Sequence, residues 1–206
     1  MIPIEEMATF CKRKGFIYPN SDIYGSLAGF FDYGPLGVEI KNNIKRAWWK
    51  QFVNAREDIV GIDGTIITNP KVWEASGHVN SFQDIMVECV KCHERYRADQ
   101  LIEAKTKEKI EGLTIKQVDS VIKKYNLKCQ KCNNELSSAS LFNLMFQTYV
   151  GPKQDKDSLA YLRPETAQII FTNFRLIQEN ARLKLPFGIA QIGKAFRNEI
   201  APRQFL

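Results

Sequence analysis

Two Cys-x-x-Cys pairs, "CVKC" at residues 89–92 and "CQKC" at 129–132, restrict the fold of this chain more than any other feature. Two thiolates at that spacing, held on one tight turn, point at a single ion, and two such turns complete a tetrahedral site. Cys89, Cys92, Cys129 and Cys132 are therefore expected to bind one structural Zn²⁺, with no open position left for catalysis. Lys91 and Lys131 lie inside the knuckles, where positive charge favours the thiolate. Two disulfides, or four unrelated thiols, are the alternatives. His93 follows the second cysteine directly and reads as a surface histidine, while Cys11 reads as a small core residue of the first helix.

The loop between the pairs is longer than a minimal zinc ribbon allows, so it must fold on its own. "YRADQLIEAKTKEKIEG" and "TIKQVDSVIKKYNLK" both carry helical apolar spacing, and Thr114 with Gln117 fits a capping box. Residues 86–135 are thus expected to form a metal-stapled insertion between two parts of a core, 1–85 and 136–206.

On either side the pattern alternates between helix and strand. Leu36, Ile40, Ile44, Trp48 and Phe52 recur at i, i+4 in a long amphipathic helix over 36–57, and Trp49 adds aromatic surface beside the stripe. That stripe is expected either to pack on the protein's own sheet or to form a subunit interface. "DIVGIDGTIITNP", "FNLMFQTYV", "LAYLR" and "FGIAQIGKAF" read as strands. "PETAQIIFTNFRLIQENAR" reads as a helix with Pro164 near its first turn. Strands joined by short turns, with helices on one side, predict an antiparallel α+β fold and not a doubly wound sheet. There is no repeat and no Gly-rich loop of the Walker type.

Charge narrows the partners only a little. Residues 1–85 are near neutral, with 9 basic and 10 acidic side chains, whereas the rest of the chain holds the excess that brings the whole to +6. A nucleic-acid partner is permitted by this balance but not required. The start lacks the basic and apolar blocks of a secretory signal, and no stretch is long and apolar enough to cross a bilayer. A cytoplasmic protein with reduced or metal-bound cysteines is expected.

Four segments, "YGPLGVEIKNNIKRAWW", "NPKVWEASGH", "LRPETAQ" and "QIGKAFRNEIAPRQF", come in that order, with the cysteine insertion between the second and third. Together they resemble the catalytic core of class II aminoacyl-tRNA synthetases, and within that class the homodimeric glycyl type, over essentially the whole chain. The resemblance implies the class II antiparallel sheet with flanking helices. It also implies a dimer interface on the 36–57 helix, and ATP-dependent activation of glycine followed by transfer to tRNA(Gly). Glycine, ATP with Mg²⁺, and tRNA are then the partners, beside a second copy of the chain and without a membrane. The third motif of the class, with its arginine for the nucleotide, and the anticodon-binding domain have no counterpart, so the chain alone is expected to be inactive.

The same resemblance assigns roles residue by residue. Arg197 of "FRNE" is the expected catalytic residue, binding the α-phosphate and the substrate carboxylate; a guanidinium offers a planar fork of donors to both. Asn198 and Glu199 join it at ATP, Glu199 accepting from adenine's exocyclic amine. Glu165 of "RPETAQ" is the expected ligand of glycine's ammonium group, and Arg163 either faces the same pocket or pairs with Glu165. Arg97 of "YRADQL" matches a substrate-contacting position. Glu74, Ser76 and His78 of "WEASGH" read as pocket wall, with no chemistry assigned. Taken without the resemblance, Arg197 and Glu199 read as a cross-strand ion pair, Glu165 as the cap of its own helix, and Arg97 as a surface arginine. A competing reading is a zinc-ribbon RNA-binding module on a synthetase-like scaffold, without catalysis. A related class II synthetase for another amino acid is a third.

Overall fold

The computed structural model describes residues 2–106 and 112–200. In chain order the elements are α1 (Ile4–Arg13), β1 (Ile17–Pro19), β2 (Phe31–Tyr33), α2 (Pro35–Trp49), β3 (Ile59–Gly61), β4 (Ile67–Thr68), α3 (Pro70–Ala75), α4 (His78–Ser81) and β5 (Gln83–Glu88). There follow β6 (Arg95–Arg97), α5 (Ala98–Thr106), α6 (Ile115–Lys124), β7 (Ser140–Asn143), β8 (Gln147–Tyr149), β9 (Leu159–Leu162), α7 (Ala167–Asn180) and β10 (Gly188–Ala190). They gather into two compact units. Of the described residues, 2–64 and 169–193 form the first, and 65–168 with 194–200 the second.

In the first unit β1 and β2 pair antiparallel, and β10 runs parallel to β3. The α2 helix starts with Pro35 at its first position, where the missing N–H costs no hydrogen bond. It continues through a π-turn at Lys50–Asn54, so the helical run expected over 36–57 is present up to Asn54. Trp49 lies on β3: a Cβ at Gly61 would fall 2.2 Å from the indole, so only glycine admits this approach. The stripe of Leu36, Ile40, Ile44, Trp48 and Phe52 is exposed instead of packed on a sheet of the chain. Cys11 is half-buried on α1, short of the core position expected of it.

The second unit contains two antiparallel three-stranded sheets, in the orders β4–β9–β8 and β6–β5–β7. Each has its own apolar core. Trp73, Met145 and Tyr161, joined by Val72, Val79, Phe82 and Leu159, pack beneath the first. Val87, Ala98, Leu101, Ile102, Val118, Ile122 and Ala139 form the second, which lies almost wholly within the span between and around the cysteine pairs. The α6 helix begins at Thr114 with the capping box read from the sequence, its hydroxyl accepting from Gln117 N–H while the Gln117 side chain accepts from Thr114 N–H. Part of the first predicted insertion helix, 107–111, falls outside the described residues.

The architecture is therefore mixed α/β with small, mainly antiparallel sheets, and several expected strands are shorter than their patterns. "DIVGIDGTIITNP" is broken into β3 and β4. "FGIAQIGKAF" contributes only Gly188–Ala190 as strand, and its partner is parallel, a correction to the purely antiparallel expectation. Pro164 lies three residues ahead of α7, whose first residue is Ala167, so residues 163–166 form the entry to the helix and not its first turn. Most of "EIAPRQF" falls on 201–206, outside the described residues.

Candidate functional site

Two places in the second unit gather chemistry-bearing side chains. The first is the cysteine cluster. Each pair forms the same turn. His93 N–H donates to Cys89 C=O (3.1 Å) and Asn133 N–H to Cys129 C=O (2.9 Å); Cys89 N–H and Cys129 N–H each donate to a carbonyl five residues on, at 2.9 Å. The residue after each second cysteine, His93 or Asn133, takes a left-handed conformation, φ 57° and 58°. This repeated backbone turns four side chains inward until all their sulfurs lie within 4.8 Å of one another. The Cys89–Cys132, Cys92–Cys129 and Cys92–Cys132 sulfurs stand 3.4–3.5 Å apart. That is far beyond a disulfide bond and close to the ~3.8 Å edge of a tetrahedron with Zn–S near 2.3 Å.

The surroundings fit a cation. Lys91 N–H and Cys92 N–H approach the Cys89 sulfur at 3.4 and 3.5 Å, and Tyr96 Oη lies 3.2 Å from Cys129 Sγ. Burial acts most strongly on Cys129 and pushes its thiol up. The Tyr96 hydroxyl and the N–H groups of Cys132 and Lys131 outweigh it and bring the group down to about 6. At Cys92 the strongest single influence, the Glu94 N–H, pulls down, but burial and the three neighbouring sulfurs together push the thiol up to about 12. The Asn134 N–H first of all lowers Cys132 as well, so two thiolates are favoured while Cys92 is resisted by its neighbours, and a cation at the centre would relieve that repulsion. His93 is not among the ligands: its ring is 74% exposed and binds Glu88 at 2.8 Å. Lys131 is engaged by Glu94 at 2.9 Å.

The second place is built on β9 and the segments beside it. Arg163, at the end of β9, is 2% exposed. Its Nε donates to Lys194 C=O at 2.7 Å and its Nη1 to Thr65 C=O at 3.3 Å, while its own carbonyl accepts from Phe196 N–H at 2.9 Å. Asn198 N–H donates to Leu144 C=O at 2.8 Å. A stretch without ladder pairing is thereby held at both ends, and Arg197 and Glu199 are exposed on it. The Arg197 guanidinium sits over the Phe82 ring at 5.1 Å. The same ring also neighbours the imidazole of His78, centroid to centroid 5.3 Å.

His78 then reaches Glu165. Its Nε2 lies 3.5 Å from Glu165 Oε1, the same oxygen that receives Gln168 Nε2 at 2.5 Å. On its other side His78 Nδ1 meets Ser76 Oγ at 2.9 Å. The local cause is Gly77, which closes α3 and opens α4 in the left-handed region, φ +81°, where a Cβ would be strained. Arg97, on β6, forms a two-pronged pair with Asp99 (3.2 and 2.7 Å) and lies 3.2 Å from Asp84. Its basicity is raised by Asp99 first, with Asp84 and Glu199 adding to the field.

Of the residues singled out in the sequence, Glu165 and Arg197 are thus brought to one place, linked through His78 and Phe82. Glu199 stands near enough to Arg97 to act on its charge. Arg163 serves the backbone of the Arg197 segment, and Arg97 is engaged by two aspartates. Phe82, Gln168 and Asp99 were not foreseen. Gln168 alone had a signal in the sequence, three residues after Glu165 at the start of a helix.

No family model matches the chain. Among curated proteins it is 51% identical to a glycine–tRNA ligase of Geobacillus kaustophilus, across 99% of this chain and 46% of that protein. The glycine–tRNA ligase of Caldanaerobacter subterraneus subsp. tengcongensis is also 51% identical, across all of this chain and 46% of the relative. That of Treponema denticola is 46% identical, with 42% of it covered. The chain therefore spans somewhat less than half the length of the curated relatives it matches. Half-identity sustained from one end of the chain to the other places it in the glycine–tRNA ligase family.

Proposed function

We propose that this chain forms part of the catalytic core of a glycine–tRNA ligase built on the class II architecture. In that reading an oxygen of glycine's carboxylate attacks the α-phosphorus of ATP and pyrophosphate leaves. The terminal ribose hydroxyl of tRNA(Gly) then attacks the carbonyl carbon and AMP leaves. Neither step needs a covalent enzyme intermediate, so the protein's work is alignment and charge stabilisation. The observation that carries the reading is the meeting of Glu165 and Arg197, from distant stretches of sequence, around Phe82 and His78. A carboxylate for an ammonium group and a guanidinium for a carboxylate or phosphate are the two charges this substrate demands.

Arg197 is the catalytic residue in this proposal, with its guanidinium kept planar over Phe82 and free to turn its donors to the α-phosphate. Asn198 and Glu199 hold the adenine side, and ATP arrives with Mg²⁺. Arg163 acts from beneath, fixing the backbone of the Arg197 segment in place of touching substrate. Arg97 meets substrate only by exchanging one of its aspartate contacts. Cys89, Cys92, Cys129 and Cys132 hold a structural Zn²⁺. The exposed apolar stripe on α2 meets a second copy of the chain, which accounts for so many large apolar side chains facing outward.

Glycine-dependent ATP–pyrophosphate exchange by a full-length protein carrying this chain tests the proposal, run against a panel of amino acids. Exchange with glycine alone supports it. Exchange with another amino acid moves the substrate, and no exchange with any removes the catalytic reading. One observation favours the RNA-binding alternative: a cavity of about 940 Å³ beside the second knuckle is lined by Lys105, Lys128, Lys131 and Tyr125. RNA binding without exchange would select that alternative.

A further inference from the structure

The contacts around His78 specify more than a pocket wall. We propose that His78 is a positioning residue for Glu165, and that Ser76 fixes which imidazole nitrogen carries the proton. The proposal rests on the reading of Glu165 as the ammonium-binding carboxylate. It starts from an asymmetry. Gln168 Nε2 and His78 Nε2 both approach Oε1 of Glu165, at 2.5 and 3.5 Å. The protein thus addresses one oxygen from two directions and leaves Oε2 as the face for a ligand. Gln168 cannot be turned over, because its carbonyl oxygen would then face a carboxylate oxygen at 2.5 Å.

The protonation pattern of His78 follows from its two neighbours. A lone pair on Nε2 would oppose the carboxylate, so Nε2 carries a proton. In the neutral ring Nδ1 is then an acceptor, and Ser76 Oγ–H, 2.9 Å away, is the donor it needs. Ser76 Oγ has a second outlet, the Trp73 carbonyl at 3.3 Å. The hydroxyl therefore sits between two acceptors and donates over the shorter distance. Trp73 and Phe82 hold the ring from its sides, at 5.5 and 5.3 Å between centroids, so it cannot swing away from the carboxylate. At 3.5 Å the Nε2–Oε1 contact is longer than a finished hydrogen bond, as positioning contacts often are before a ligand is bound.

A Ser–His–Glu series also resembles a nucleophile with its base, but the backbone here rules that out. The N–H groups of Ser76 and Gly77, next to the hydroxyl, are already spent on Val72 C=O and Glu74 C=O at 3.1 and 3.0 Å. Neither is left as an oxyanion donor where an attacked carbonyl would stand. The series orients a carboxylate and does not attack a substrate.

The chain has only two histidines, so ¹⁵N-histidine labelling with a His93→Gln variant for assignment isolates the His78 ring. Near neutral pH, Nε2 should read as protonated and Nδ1 as unprotonated, and Ser76→Ala should mix the tautomers. A proton on Nδ1 with a bare Nε2 overturns the proposal, whatever the protein's activity. In glycine exchange by the full-length protein, His78→Leu should raise the glycine KM about tenfold, the scale of one hydrogen bond to a charge, with the ATP KM unchanged. His78→Gln, which keeps a donor near the Nε2 position, should recover most of the loss. Equal effects of both variants, or equal effects on both substrates, would mean that His78 only fills space. If the wild-type protein shows no glycine exchange, the functional reading fails, and the tautomer measurement still decides the geometry.

Discussion

The cysteine insertion and the Glu165–Arg197 site lie in the same unit, and they are held by opposite means. In the insertion one backbone turn occurs twice, around an apolar core supplied almost entirely by the residues between and beside the two pairs. Its contacts are local, and its four sulfurs could hold one metal ion. At the Glu165–Arg197 site the side chains come from α4, the entry to α7 and a stretch without ladder pairing. What fixes them is one buried arginine and a few backbone hydrogen bonds. On the proposed reading, the cysteine region serves stability and the other place serves positioning. Their failures should differ accordingly: loss of folding in one, loss of alignment in the other.

Metal removal should have the largest effect. A structural zinc supplies on the order of 10 kcal/mol to a small domain that lacks an adequate core without it. Chelation, or Cys129→Ser, should therefore unfold α5 and α6 while β4, β8 and β9 keep their amide protection. Hydrogen exchange resolved along the chain checks this, with metal analysis expected to find close to one zinc per chain. Uniform loss of protection would show that the insertion is not a separate cooperative unit. Four freely titrating thiols without metal would remove the zinc assignment.

Arg163→Met tests the other half. The substitution keeps much of the apolar volume but leaves the carbonyls of Lys194 and Thr65 without their buried donor, at roughly 1–3 kcal/mol each. Thermal unfolding should report a loss of about 2–6 kcal/mol. In a full-length protein kcat for exchange should fall further than KM rises, because alignment is what is lost. An unchanged kcat would make Arg163 a fold residue alone.

The two regions also differed in how far the sequence disclosed them. Spacing alone announced the cysteine cluster, because metal ligation imposes a fixed chemistry on adjacent residues. The capping box of Thr114 and Gln117 was legible for the same reason. Arg197 and Glu165 were legible only through resemblance, since nothing in their local sequence says that distant segments meet. The role of Arg163 in holding two backbone carbonyls leaves no trace in "LRPET". Phe82 was silent because an aromatic residue near a strand is ordinarily core. The short parallel pair β3–β10 escaped because alternation shows a strand's faces but not its partner.

Acid should separate the regions through Asp99. Burial alone would raise this carboxyl, but the Arg97 guanidinium and the Gln100 N–H outweigh it and hold it below its ordinary value near 3.8. A carboxylate with a lowered folded value contributes stability that is present above the unfolded value and lost as pH falls through the folded one. Asp99→Asn should thus destabilise the insertion at pH 7. The gap between variant and wild type should close below about pH 4, the range of an ordinary carboxylate. A gap that persists unchanged well below that point would mean that the Arg97 pair contributes nothing.

The smallest expected effect sharpens the comparison most. Thr114→Ala removes the hydroxyl that accepts Gln117 N–H and the anchor for the Gln117 side chain at the start of α6. Loss of an N-cap costs about 1 kcal/mol. The α6 helix supplies Val118 and Ile122 to the insertion core, and Asp119 on it accepts Ala139 N–H at 2.7 Å, so the loss should spread through that core. It should stop there. Amides of α6 and α5 should exchange about fivefold faster, as ~1 kcal/mol demands. Those of Phe196 and Asn198, held by Arg163 and Leu144 carbonyls, should be unchanged. Faster exchange at Phe196 would mean that the insertion and the Arg197 segment open together, and that stability and alignment in this unit are one property and not two.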